Sequence, residues 1–470
     1  MPDYALSALG PLDGRYAKDV EPLRNIFCEA ELIRRRLGIE VEWLIALSEE
    51  SGALGAGPAF SDGDKERLRS LYETFTLEDA AVVKAIEEEG YHGIKATRHD
   101  VKAIEYFMRE RLAGAGLDEC MPWMHFGLTS EDVNDPAYAT MVSDAVGDVL
   151  LPELEGLHKD LVAMARGYAA IPMLARTHGQ PASPTTLGKE YNVFATRLAR
   201  QIDEIGSLEI GAKFSGATGN HNALSAAFPQ LPATYWTEFT QQFLKKIAGE
   251  RRVRIRPELV TTQVSSHDTY AELFHALTRA NNVIIGMDRD TWTYISDGWL
   301  AQKPTEGEVG SSTMPHKVNP ISFENSEGNL ELANAMLYFL ASDLPISRLQ
   351  RDLSGSTVKR NVGVALGHCL VGYASSRKGL ARVSPHKENI AEALRENPQV
   401  VAEGVQTLLR AAGVPEAYEM LMERTRGKEI SLDDLRGLAD GLELPDSVRT
   451  QLRNLAPENY TGIAKHLAML

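Results

Sequence analysis

Gly310-Ser311-Ser312-Thr313-Met314-Pro315-His316-Lys317-Val318-Asn319-Pro320 is a run of chain breakers and polar residues, followed by a well-patterned helical stretch at 324–342. Gly, Ser and Pro hold such a segment out of regular structure. The hydroxyls of Ser311 and Ser312, the Lys317 ammonium and the Asn319 amide give it groups that can grip an anion. A loop of this kind suits closure over a small polyanion, and taken alone it suits an ordinary solvated loop as well. What surrounds it decides.

Helical periodicity dominates those surroundings. Tyr191, Phe194, Leu198, Ile205 and Leu208 fall three, four or seven apart, and Tyr270, Leu273, Phe274, Leu277, Ile284 and Ile285 repeat the pattern. Leu330, Ala333, Leu337 and Leu340 do the same after the loop. Spacing of this kind places apolar side chains on one helical face. Windows this long predict a bundle of long helices extended by partner subunits. Only 252–256 alternates clearly enough to predict a strand, and Pro/Gly clusters at 52–58, 114–122 and 181–184 predict breaks or loops. Beyond about residue 384 the pattern shortens and charge increases. The expected architecture is all-α in three helical domains: 1–120, a central long-helix bundle at 121–383 that carries the loop 310–320, and 384–470.

Composition narrows the function. The 470 residues suffice for a large buried core, and 43% hydrophobic with 24% charged residues is an ordinary globular balance. A net charge of −16 argues against nucleic acid as the main partner, because a phosphate-tracking surface is basic. A few arginines can still build a local positive pocket for a small anion. Cys28, Cys120 and Cys369 lie far apart with no CxxC pair, so neither a structural zinc nor a disulfide framework is expected. The opening MPDYALSALGPLDGRY lacks a basic segment leading into an apolar run, and no stretch approaches the ~18 apolar residues of a membrane span. A cytoplasmic protein with no membrane partner is expected.

Four polar clusters stand outside the apolar stripes. Asp13-Gly14-Arg15-Tyr16 reads as an Asp-Gly turn, yet its Arg–Tyr pair can hold a phosphate through a charged fork and a phenol. Thr97-Arg98-His99-Asp100 precedes a predicted helix at 101–112; it can cap that helix or use its N-terminus to hold an anion. Thr129-Ser130-Glu131-Asp132-Val133-Asn134 reads locally as an N-cap followed by acidic first-turn residues. In Arg176-Thr177-His178-Gly179-Gln180-Pro181-Ala182-Ser183-Pro184 a histidine sits among rigid neighbours, and histidine is the side chain suited to proton exchange near neutrality. Gln263 and His267-Asp268 follow. Then Arg348, Arg351, Lys359 and Arg360, with Ser356 and Thr357, form a run fit either for solvent or for a phosphomonoester. No HExxH, P-loop or dinucleotide fingerprint is present, so no local motif implies a metal or nucleotide cofactor.

In this order, DGRY at 13–16, HDVKAIEYF at 99–107, TSEDVN at 129–134, RTHGQPASP at 176–184, GSSTMPHKVNPISFENSEGNL at 310–330 and RDLSGST at 351–357 resemble the adenylosuccinate lyase family. The loop alone resembles the wider fumarase/aspartase superfamily. The resemblance covers nearly the whole chain. It implies an all-helical homotetramer whose active sites are shared between subunits, and a cofactor-free β-elimination that releases fumarate. The implied substrates are adenylosuccinate, giving AMP, and the succinyl-carboxamide ribotide SAICAR, giving AICAR. His178 is then the general acid and Ser311 the base, with Ser312 as the alternative base. Lys317, Val318 and Asn319, with Thr129, Ser130, Gln263 and Asn325, are implied at the succinyl end. Arg15, Tyr16, Arg351, Ser356, Thr357 and Arg360 are implied around phosphate and ribose, and His99 and Asp100 would position substrate or tune His178. Two residues depart from the family pattern: Arg98 stands where a small polar residue is expected, and Lys359 where an apolar one is. Both belong with the phosphate end. The other readings are a different superfamily lyase acting on argininosuccinate or aspartate, a structural protein on the same scaffold, and a helical interaction scaffold.

Overall fold

Ser61 and Thr76 start helices in the same way. Each hydroxyl accepts from the backbone N–H three residues on, and Asp64 or Asp79 accepts from the cap residue's own N–H. Such reciprocal caps satisfy donors that a helix start otherwise leaves bare. The helices they begin, Asp62–Glu73 and Leu77–Glu88, pack with Glu29–Glu49 and Asp100–Leu112 around Leu37, Leu44, Ile86, Ile104 and Phe107. Trp43 is fully buried against Phe214, Phe239 and Phe243, and its indole N–H donates to the Phe126 carbonyl at 3.0 Å.

The computed structural model describes residues 3–114, 116–303, 314, 317–425, 431–437 and 440–470. Contacts divide the chain into two compact units. One comprises Met1–Glu153, Gln201–Asn281 and Asn329–Val371; the other comprises Leu154–Arg200, Asn282–Gly328 and Gly372–Leu470. The fold is all-α, as the apolar periodicity predicts. Its long helices include Leu187–Ser207, Asp268–Ser296, Ile321–Asp343 and Val362–Leu380. The stripe residues Tyr191, Leu198, Ile205, Tyr270, Leu273, Leu330 and Leu337 are buried. Among the described residues no helix is long and apolar enough to cross a membrane.

The strands differ from expectation in two places. The segment predicted at 252–256 pairs two residues later, as Arg254–Glu258, in parallel with Glu209–Lys213. The breaker-rich stretch 181–184, expected as a break or loop, lies in an antiparallel hairpin of Pro172–Thr177 with Gln180–Thr186. Pro181 and Pro184 concealed it. Proline is barred from central strands but allowed where a strand has an open edge, and both strands of a two-stranded sheet have one.

In the second unit, Asp288 is buried between helices. Ser376 donates to its two oxygens at 2.6 and 2.8 Å, and the Ser326 hydroxyl lies 2.8 Å from that of Ser376. Burial pushes the Asp288 carboxyl up to about 8, with the two serine hydroxyls pulling only weakly the other way. The native state therefore holds a proton that the unfolded chain releases near the ordinary aspartate value of 3.8. The contribution of Asp288 to stability therefore falls as pH rises between those values. In Asp288→Asn that slope disappears, so its melting temperature gains on the wild type progressively from pH 5 to pH 8, as thermal melts across that range would record. A constant offset across the range would contradict the assignment.

Candidate active site

His178 sits at the tip of the 172–186 hairpin. Thr177 pairs with Gln180, and both residues between them have positive φ, 54° at His178 and 75° at Gly179. Two left-handed residues make the tight turn whose twist matches a hairpin. The imidazole is therefore presented, exposed, on a short rigid platform. Arg176 steadies the turn by donating to the Gly179 carbonyl at 3.3 Å, and its guanidinium lies over the Trp299 ring.

Also in this second unit, Lys317 and Val318 are exposed just ahead of the Ile321–Asp343 helix, with Asn319 partly covered. The Val318 carbonyl accepts from Gln302 at 3.0 Å, and Asn325 donates to Ser375 at 2.7 Å. Ser311 and Ser312 lie outside the described residues.

In the first unit, three separate stretches converge on a cavity of about 340 Å³. Arg98, His99 and Asp100 line it from one stretch, Ser130 from a second, and Arg351, Ser356, Thr357, Lys359 and Arg360 from a third. Thr129 directly precedes Ser130, its N–H bonded to Asp132. Gln263 is tied to Arg351 by a 2.7 Å hydrogen bond. Arg15, exposed, and Tyr16, packed against Leu12, Val20 and Val371, are not among the lining residues.

His99, and not Thr97 or Asp100, caps the Asp100–Leu112 helix. Its Nδ1 accepts from the Lys102 N–H at 3.2 Å, so the neutral ring carries its proton on Nε2, 3.3 Å from the Ser130 hydroxyl. Asp100 pairs with Arg36 at 3.0 Å and Arg360 at 3.3 Å. Burial alone would raise the Asp100 carboxyl; Arg36, the Val101 N–H and Arg360 together hold it below the usual range.

Residues that sequence reasoning missed complete the cavity: Arg36, Glu87, Asn134 and Tyr138 as lining, and Glu131 as a hub. One Glu131 oxygen accepts from Asn134 at 2.9 Å and Arg351 at 3.1 Å, and the other accepts from Lys359 at 3.3 Å. Burial opposes its ionisation, yet Lys359, Asn134 and Arg351 keep its carboxyl below the usual range. Behind it, Asp132 receives the buried Lys213 ammonium at 2.7 Å and the N–H groups of Ser215 and Gly216. Asp135 accepts from the Lys213 N–H and Ser265, and burial raises it to about 6. Burial, reinforced by Lys359, lowers His267 to about 3, so that ring is neutral. Acidic residues in a helix's first turn carried no sign of this hub role, because N-terminal capping gives the same pattern.

Residues 14–336 match the lyase family, and residues 347–461 match the adenylosuccinate lyase C-terminal family. The chain is 43% identical over 463 residues to the adenylosuccinate lyase of Haemophilus influenzae, covering 98% of each. It is 42% identical to the adenylosuccinate lyase of Escherichia coli K12, covering 98% of this chain and 97% of that one, and 42% identical to that of Dictyostelium discoideum, covering 97% of each. Two solved structures share the fold. A fumarate lyase from Mesorhizobium has a TM-score of 0.73 at 20% identity, covering 95% of this chain and 96% of that one. A 3-carboxy-cis,cis-muconate lactonizing enzyme from Pseudomonas putida has a TM-score of 0.71 at 21% identity, covering 95% of each.

Proposed function

The chain belongs to the adenylosuccinate lyase family, and from that premise we propose how its residues divide one β-elimination, run on adenylosuccinate and on SAICAR. A base takes the weakly acidic proton from the carbon beside a succinyl carboxylate. The electron pair left there expels the nitrogen, the C–N bond breaks, fumarate departs, and AMP or AICAR remains after the nitrogen is protonated. Ser311 is the base and His178 the acid. A serine hydroxyl is a poor base unaided, so Lys317, His316 and the loop's N–H groups have the task of stabilising its alkoxide. Lys317, Asn319, Thr129, Ser130, Gln263 and Asn325 hold the succinyl carboxylates, whose charge grows as the proton leaves and therefore needs preorganised donors.

The observation that carries the phosphate end is the charge of the first-unit cavity. Its lining has five cations, Arg36, Arg98, Arg351, Lys359 and Arg360, against three carboxylates, Glu87, Asp100 and Glu131. In a chain of net charge −16 this local excess suits a dianionic phosphate. Ser356 and Thr357 add hydroxyl donors, and Arg15 and Tyr16 supply a further grip. A homotetramer in the cytoplasm completes the reading. Trp292, Leu332, Tyr338 and Phe339 stand exposed on the long helices Asp268–Ser296 and Ile321–Asp343, where partner helices can cover them.

Purified protein is expected to convert adenylosuccinate to AMP and fumarate, followed by ultraviolet absorbance with the products identified by chromatography. Light scattering on the same sample should give four times 51.7 kDa. No turnover by a folded tetramer would sink the substrate assignment.

A further inference from the structure

We propose that Lys359 and Glu131 act as a positioning pair that sets the charge and pose of Arg351, rather than as substrate ligands. The proposal rests on the reading of this cavity as the substrate's anion site.

Glu131 and Lys359 are both almost fully buried, whereas the Arg351 side chain is about a quarter exposed. Glu131 stands between the two cations, giving one oxygen to each. The Lys359 ammonium lies 3.9 Å from Asp135 and over the Tyr138 ring at 5.4 Å, so its contacts lie within the protein. Arg351 is fixed by three acceptors, Gln263 at 2.7 Å, Glu131 at 3.1 Å and Ser356 at 3.2 Å, and these account for its two terminal nitrogens. The guanidinium is thus held while part of it faces the cavity.

The charges explain why a buried lysine is needed. Glu131 and Asp135 stand one helical turn apart on Ser130–Asp144, so their carboxylates share a face. Without Lys359, Arg351 would be the remaining cation bonded to Glu131, since the Lys213 ammonium is bound to Asp132. A buried carboxylate that loses one partner presses harder on the one remaining. Arg351 would be drawn inward and its charge spent on Glu131. With Lys359 present, Glu131 is balanced and serves as an anchor, leaving the positive charge of Arg351 for an incoming anion. Lys359 therefore acts through Glu131 on Arg351, and its effect belongs in substrate binding rather than in the chemical step.

The test is a double-mutant cycle on the tetrameric enzyme, read as KM and kcat for adenylosuccinate. Lys359→Met is expected to raise KM about 10- to 100-fold with kcat within a few-fold of wild type. Adding Glu131→Gln removes the unbalanced charge while keeping an amide oxygen for Arg351. The double variant should therefore return KM to within about threefold of wild type. A purely structural lysine gives another pattern: Lys359→Met lowers kcat in proportion to the folded fraction, leaves KM unchanged, and is not rescued. That pattern overturns the proposal. If Lys359→Met does not fold alone, the double variant decides, because it must fold and bind like wild type; a folded double variant with KM raised more than tenfold also overturns it. A wild type inactive on adenylosuccinate removes the underlying reading, and is seen before any variant is made.

Discussion

Replacing His178 by asparagine is expected to lower kcat by about 10²- to 10⁴-fold, the usual worth of a positioned proton donor, with the melting temperature almost unchanged. The choice of asparagine follows from the backbone. His178 has φ of 54°, a left-handed conformation that costs an ordinary side chain ~1–2 kcal/mol and that asparagine accepts more readily. Alanine at this position would mix lost chemistry with turn strain. The imidazole is exposed at a hairpin tip, so its removal leaves no cavity in the core. Ser311→Ala should cost a comparable factor through loss of the base, and Ser312→Ala much less. Activity of His178→Asn within tenfold of wild type would remove the histidine from the role of acid. A large loss in Ser312→Ala with little in Ser311→Ala would move the base by one residue. Stopped-flow single turnovers with each variant separate these outcomes from slow product release.

The long helices were legible because burial of one face imposes the 3.6-residue period directly on residue choice. The helix read at 324–342 spans Ile321–Asp343, and the one read at 101–112 spans Asp100–Leu112. The hairpin under His178 was not legible. Six- and seven-residue strands with three prolines and little apolar alternation carry almost no periodic signal. The site divides the same way. Polar clusters such as 98–100 and 351–360 stood out because polar residues among breakers break a pattern. Glu131 conformed to one, as an acid in the first turn of a helix. Arg36 lies within Arg34-Arg35-Arg36 on a helix whose neighbouring arginines form ordinary ion pairs with Glu31. Only tertiary structure separates the arginine that turns to Asp100 and the cavity from the two that do not.

Gly188→Ala should be the most damaging small substitution in the second unit, costing ~3 kcal/mol, the upper end of what overpacking usually costs. A Cβ at Gly188 would stand 2.2 Å from the Ala165 carbonyl oxygen, 2.5 Å from the Ala169 nitrogen and 2.6 Å from its Cα. All three are backbone atoms, so no side-chain rotation can make room. Relief requires parting the start of Leu187–Ser207 from the end of Leu151–Gly167. Two hydrogen bonds that close the base of the hairpin, Leu187 N–H to Ile171 and Gly188 N–H to Tyr168, would go with it. At roughly 2–4 °C per kcal/mol for a domain of this size, the melting temperature should fall by about 6–12 °C. Gly206→Ala, in the same helix with its nearest neighbour 4.0 Å away, is the control and should be neutral or slightly stabilising. Activity connects the helix junction to the chemistry. If the junction sets where His178 stands, Gly188→Ala loses kcat beyond its unfolded fraction, even at temperatures where circular dichroism reports a fully folded chain. Full activity at such a temperature would mean that the hairpin holds its pose through Arg176 and its own turn, and that the junction beneath it serves stability alone.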